Sequence, residues 1–221
     1  MVGEVLTQPT QALTDLLLGV VVLGLAIGLA RRPATHGYWR AAFGWAAVAA
    51  LCGFVHHGVL ARWPSVATIS WATISVMVVL AVSYLLAGTV AEVLGPGHAR
   101  TFWVVRSAGL LAYLALAVTG HAGIGAILAC ESITMLGVLG LWGWAAYRQH
   151  PLAIPVLWAM LASMAAAGAK VLSPDITGYV RLDPTSAYHL AQIGGMVLLY
   201  RALTVPHQRE EKAETQHQLA Q

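Results

Sequence analysis

Charge is what this chain has least of. Twelve Lys and Arg and nine Asp and Glu make up only 10% of its 221 residues, whereas 58% are hydrophobic. A soluble domain of that composition would expose apolar patches that water does not tolerate, so the soluble classes are excluded. Cysteine is scarce as well: Cys52 and Cys130 both fall inside predicted spans, where a disulfide needs adjacent helices at one depth. Both read as packing residues. The chain has no G-x-S-x-G, no H-E-x-x-H and no phosphate-cradling loop, and no Lys lies within its last apolar run to hold retinal. Its first run lacks a basic leader and a small-residue cleavage pattern, which predicts a retained helix rather than a cleaved signal.

What the chain does have is apolar length. Runs able to cross ~30 Å of hydrocarbon at ~1.5 Å per residue lie at 11–30, 38–61, 66–94, 101–120, 123–147, 152–172 and 185–205. They predict an all-α integral membrane bundle of seven helices over residues 1–205, followed by a polar tail at 206–221. Breakers punctuate the turns: Arg32-Pro33, Trp63-Pro64, Gly95-Pro96-Gly97, the stretch 120–125, and His150-Pro151. The one long connection, Ser173–Pro184, reads as either a plain connector or a lid. Small residues at helical spacing (Gly19, Gly24 and Gly28; Ala46, Ala50 and Gly53; Gly137 and Gly140) predict close backbone approach.

Cations set the expected orientation, because short translocated loops lack them. Arg31, Arg32, Arg40, Arg100, Arg106, Arg148, Arg201, Arg209 and Lys212 fall on one side and only Arg62, Lys170 and Arg181 on the other. This places the N-terminus outside and the C-terminus in the cytoplasm. The net charge of +3 reflects that bias and is no sign of a nucleic-acid partner. Arg106 reads as an anchor for the cytoplasmic end of the fourth helix.

An ionisable side chain in hydrocarbon costs roughly 2.5–3.5 kcal/mol even on lenient scales, so each is a functional hypothesis. Counted from the outer helix ends, Asp15, His56, His57 and His189 all lie about 6–8 Å deep, with Ser70 at a similar level. Carboxylate and imidazole make a zinc-type ligand set, and catalytic zinc takes three protein ligands and leaves the fourth position for a water whose pKa falls to about 7. His57, His189 and Asp15 supply that count. Adjacent helical residues point about 100° apart, and His57 is the one in line with Gly53 and Ala50. Glu131, ~12 Å deep, reads as a proton carrier, a further ligand or a structural partner. Gln192, a turn after His189, reads as orienting the imidazole, binding a substrate carbonyl or bridging helices. The competing roles are ordinary ones: interhelical hydrogen bonds for the histidines, a helix cap for Asp15, and snorkelling for Lys170. A bis-imidazole haem site from His57 or His56 with His189 is a remoter option.

With Cys52-Gly53-Phe54-Val55-His56-His57-Gly58 closing the second helix and Tyr188-His189-Leu190-Ala191-Gln192 opening the seventh, the chain resembles the CREST superfamily of alkaline ceramidases and progestin/adipoQ receptors, as a divergent bacterial-type member. The resemblance implies seven helices and zinc held by histidines of helices two and seven, hydrolysing lipid amides or related bonds. Departures accompany it. The family's Ser-x-x-x-His becomes Cys52-x-x-x-His56 or Gly53-x-x-x-His57, its helix-three Asp has no counterpart, and its second helix-seven His is replaced by Ile193. Asp15 or Glu131 would have to supply the missing ligand.

The expectation, with the bacterial inner membrane as the place that the resemblance implies, is therefore a zinc-dependent membrane hydrolase that cleaves an amide or ester of a lipid or amphiphile entering from the outer leaflet, in a polar layer near the outer face. His57, His189 and Asp15 hold Zn2+, Glu131 or His56 moves the proton, and Ser70 or Gln192 steadies the oxyanion. The alternative is a non-catalytic sensor or transporter that binds a metal ion or small polar ligand.

Overall fold

The computed structural model describes residues 6–32, 37–121, 124–168 and 182–219, with residue 124 and those from 205 onward described as helix backbone only. Seven α-helices account for nearly all of it: α1 (Pro9–Ala30), α2 (Gly37–Gly58), α3 (Pro64–Val93), α4 (Ala99–Leu116), α5 (Ile124–Tyr147), α6 (Ala153–Gly168) and α7 (Pro184–Leu219). No strand occurs among the described residues. Five helices are long and apolar enough to cross a membrane, α1 to α5, and α6 is a shorter apolar one. The chain is an integral membrane protein.

Proline sets several helix starts, since its missing N–H falls where no intrahelical acceptor exists. Pro9 opens α1 and Pro64 opens α3. Pro155 lies in the first turn of α6, where it costs no ladder bond. Beyond Leu116 the fourth helix loosens into a π turn, Ala117–His121, which ends at Gly120 with φ +83°, a value that favours glycine. The polar segment at 206–219 continues α7 as helix. Lys170, Arg181 and residues 173–181 of the long connection lie outside the described residues.

The helices pack in the cyclic order α1, α2, α3, α5, α6, α7, with α7 closing onto α1, while α4 lies outside against α5 and the edge of α3. Small residues permit the close approaches. A Cβ at Gly19 would fall 2.7 Å from the Leu51 side chain, and one at Gly88 would fall 2.9 Å from the Trp39 ring. Gly28 sits against Tyr200 and Gly137 against Val105, but Gly24 and Gly140 face open space, so the expected small-residue contacts form only in part. Trp39, Phe43, Leu86, Val138 and Trp142 are fully buried, and the Trp142 indole donates to Thr89 Oγ1 at 3.1 Å. Cation–aromatic pairs mark opposite ends of the bundle, Arg62 over Trp63 and Arg148 over Trp144.

Arg106 differs from its expected role. It does not anchor a helix end; it is 2% exposed, and its guanidinium forks onto both oxygens of Glu131 at 3.1 and 3.3 Å while donating to Thr134 Oγ1 at 2.8 Å. Gly109, one turn on, lets α5 approach, since a Cβ there would fall 2.7 Å from the Cys130 carbonyl. Buried, a two-pronged pair persists because each charge satisfies the other. Replacing Arg106 with Met should therefore destabilise the protein by about 3–5 kcal/mol by stranding the Glu131 charge, and the double change Arg106→Met with Glu131→Leu should recover most of that loss. Thermal midpoints of the two variants in one detergent check this.

Candidate functional site

The polar layer assembles where α1 begins, α2 ends and α7 begins. Asp15 lies in the second turn of α1, beyond the reach of a cap, and is 4% exposed. Space for it comes from Gly53 of α2: a Cβ there would fall 2.6–2.9 Å from all three carboxyl atoms. One turn further along α2, His57 Nε2 stands 3.8 Å from Asp15 Oδ2. From α7, His189 Nε2 stands 3.2 Å from Asp15 Oδ1. Three helices thus bring Asp15, His57 and His189 together, with one imidazole at each carboxylate oxygen.

The far sides of both rings are also held. His189 Nδ1 lies 3.0 Å from Thr14 Oγ1, which is itself 3.0 Å from the carbonyls of Thr10 and Gln11. His57 Nδ1 makes a short hydrogen bond with Gln8 Oε1 in the segment that leads into α1. That segment is pinned to the end of α2 by Thr7 N–H to Gly58 C=O and Gln8 N–H to His57 C=O, both 3.0 Å. Catalytic zinc needs donors at about 2.0–2.2 Å. Donors that share one such ion lie more than about 3 Å from each other, and Asp15 stands 3.2 and 3.8 Å from the two rings; among the described residues, however, no three His, Cys, Asp or Glu side chains form a ready cation cage.

The other candidates fall elsewhere. His56 turns to α3, where Nδ1 meets Ser70 Oγ at 2.7 Å beside Trp71, and its ring centroid lies 4.8 Å from that of His57. Gln192 does not orient His189; its amide reaches Ser163 of α6 at 3.4 Å. Glu131 is committed to Arg106 on α4 and α5, and α5 packs against α3, α4 and α6 rather than against the helices that carry Asp15 and the two imidazoles.

One element that sequence reading missed is the lock at the start of α7. Asp183 Oδ1 accepts the N–H groups of Thr185 and Ser186 at 3.0 Å and the Gln11 side-chain amide at 3.2 Å, and Oδ2 accepts the Ser186 hydroxyl. Asp183 therefore caps α7 and ties it to α1 one turn from Asp15. The signal was present as Asp183-Pro184-Thr185-Ser186, a capping residue followed by proline at the first helical position. Thr14 and Gln8 carried no comparable signal.

A family model matches residues 10–206. The chain belongs to DUF6962, a family of unknown function. No curated protein and no solved structure matches this DUF6962 chain.

Two measurements test the geometry. Gly53→Ala in the DUF6962 protein should displace the Asp15 carboxylate and cost about 1–3 kcal/mol from overpacking, whereas Gly140→Ala, in open space, should be neutral or stabilising by up to about 1 kcal/mol; thermal midpoints of both decide. Asp183 supplies an acid-side test. Burial opposes its ionisation, but the hydrogen bonds from Ser186, Thr185 and Gln11 prevail and hold the carboxyl below its ordinary value. A depressed folded value means that the stabilisation is complete above the unfolded value and lost as pH falls through the folded one. The margin of wild type over Asp183→Ala, about 1 kcal/mol for a cap, should accordingly shrink as pH falls through the acid range, as read by helix unfolding at stepped pH.

Proposed function

We propose that this DUF6962 protein is a zinc-dependent membrane hydrolase cleaving an amide or ester bond of a lipid or amphiphile. In this reading it has seven spans in a bacterial inner membrane, with the N-terminus outside as the cation asymmetry requires. The observation that carries it is the buried Asp15 carboxylate set between the Nε2 atoms of His57 and His189, each contributed by a different span. These are zinc's preferred nitrogen and oxygen donors, and the three ligands of a catalytic site come from them once the carboxylate and rings part to admit the ion.

Bound there, zinc would polarise a substrate carbonyl and make a water acidic. The residues of the chain do the rest. Asp15, His57 and His189 hold the ion. Ser70 and His56, hydrogen-bonded at 2.7 Å beside His57, handle the substrate oxygen and the proton. Neither Glu131 nor Gln192 takes part, since each is directed to a partner elsewhere in the bundle.

A second reading, a sensor or transporter that binds a cation or small polar ligand without chemistry, is favoured by one observation: Glu131, the deepest acid, has both oxygens taken by Arg106 and is not available to move a proton. The two separate on one preparation. Protein purified in detergent should carry about one zinc per chain by elemental analysis, lose it in His57→Ala and His189→Ala, and hydrolyse members of a lipid amide and ester panel that both variants leave intact. Zinc without turnover selects the sensor, and neither zinc nor turnover removes the hydrolase.

A further inference from the structure

Each imidazole of the site has one nitrogen on Asp15 and the other on an oxygen outside it, and the identity of those oxygens decides which nitrogen carries the proton. A Gln side-chain oxygen only accepts, so the short bond between Gln8 Oε1 and His57 Nδ1 requires a proton on Nδ1. A threonine hydroxyl has a single proton, and that of Thr14 is directed at the carbonyls of Thr10 and Gln11 at 3.0 Å, which leaves its oxygen to accept from His189 Nδ1–H. A neutral imidazole has one N–H. With Nδ1 protonated in both rings, each Nε2 faces the same carboxylate, as an N–H donor to it while the ring is charged and as a lone pair once that proton is replaced.

We infer that Gln8 and Thr14 are positioning residues that hold His57 and His189 as Nδ1–H tautomers and so aim two Nε2 donors at a cation beside Asp15. The inference deepens the proposed zinc centre and rests on His57 and His189 being its nitrogen donors. The positive charge that faces Asp15 is carried by the Nε2 protons while the rings are charged, and a cation seated beside Asp15 would take their place. Outer hydrogen bonds of this kind orient metal-binding imidazoles, and their loss typically costs about 10- to 100-fold in metal affinity. The two holders are built differently. Thr14 is one residue from Asp15 on α1, so the same helix aims the ring and supplies the carboxylate. Gln8 belongs to the strap whose backbone is bonded to His57 and Gly58, so the segment that seats the ring is seated by the ring's own helix.

The test uses the full chain labelled with 15N-histidine in detergent micelles, where ring couplings report which nitrogen bears the proton. Wild type should show Nδ1 protonated in both His57 and His189. Gln8→Leu should release the first ring and the near-isosteric Thr14→Val the second, each to a mixture of tautomers, while Gln8→Glu and Thr14→Ser, which keep the acceptor, should restore the wild-type pattern. An unprotonated Nδ1 in either wild-type ring overturns the inference. Titration with Co2+ alone gives the second readout: Gln8→Leu and Thr14→Val should each weaken binding about 10- to 100-fold, with the Glu and Ser variants close to wild type. Equal Co2+ affinity in wild type and both apolar variants also overturns it. Failure of wild type to bind Co2+ or Zn2+ defeats the zinc reading instead, and the tautomer measurement still decides the positioning.

Discussion

A carboxylate at membrane depth governs this structure. Asp15 is nearly inaccessible on an apolar helix, and an ionised group so placed persists only where positive or hydrogen-bonding partners surround it. Every approach in this part of the bundle serves that requirement. Gly53 gives up its side chain so that α2 lies against the carboxyl, His57 follows one turn later, and α7 closes on α1 rather than elsewhere so that His189 reaches the other oxygen.

The second buried carboxylate shows a different solution. Glu131 is closed off by a guanidinium that occupies both of its oxygens, with Thr134 completing the cluster. Such a pair is saturated; it fastens α4, the one helix outside the ring, to α5. The Asp15 cluster is held by imidazoles, which lack permanent charge and keep a second nitrogen for an outside partner. Two carboxylates of similar burial are thus compensated in different ways, one by a permanent charge and one by groups whose charge depends on a proton.

Much of this arrangement is legible in the chain because hydrophobic length and small-residue spacing are local signals. The first six apolar runs lie within a few residues of their helices while α7 runs on past its apolar run to Leu219, and the depth match of Asp15, His56, His57 and His189 includes the three residues that meet. Preferring His57 over His56 followed from the helical turn together with the alignment of His57 with Gly53 and Ala50, and in the structure His56 faces α3. What stayed hidden depends on long-range pairing. Arg106, near a helix start, reads as an interfacial anchor until α5 is seen to bring Glu131 beside it. Gln192 shares a face with His189, but α6 offers Ser163 nearby and the amide goes there. Gln8 lies forty-nine residues from His57, and no local periodicity connects them.

The α1–α7 seam explains why the site can be both ordered and responsive. It carries two polar rungs, Gln11 to Asp183 at the mouth and Thr14 to His189 one turn deeper, and the ion pair to Asp15 lies beside the second. The outer rung fixes where α7 starts, because Asp183 is at once the cap of that helix and the acceptor for α1. The inner rung fixes the direction of the His189 ring. In the proposed zinc centre, an ion entering beside Asp15 would act on side chains whose helices are already registered, so little backbone ordering would remain to oppose binding, and the energy of the new contacts would go into moving one carboxylate and two imidazoles.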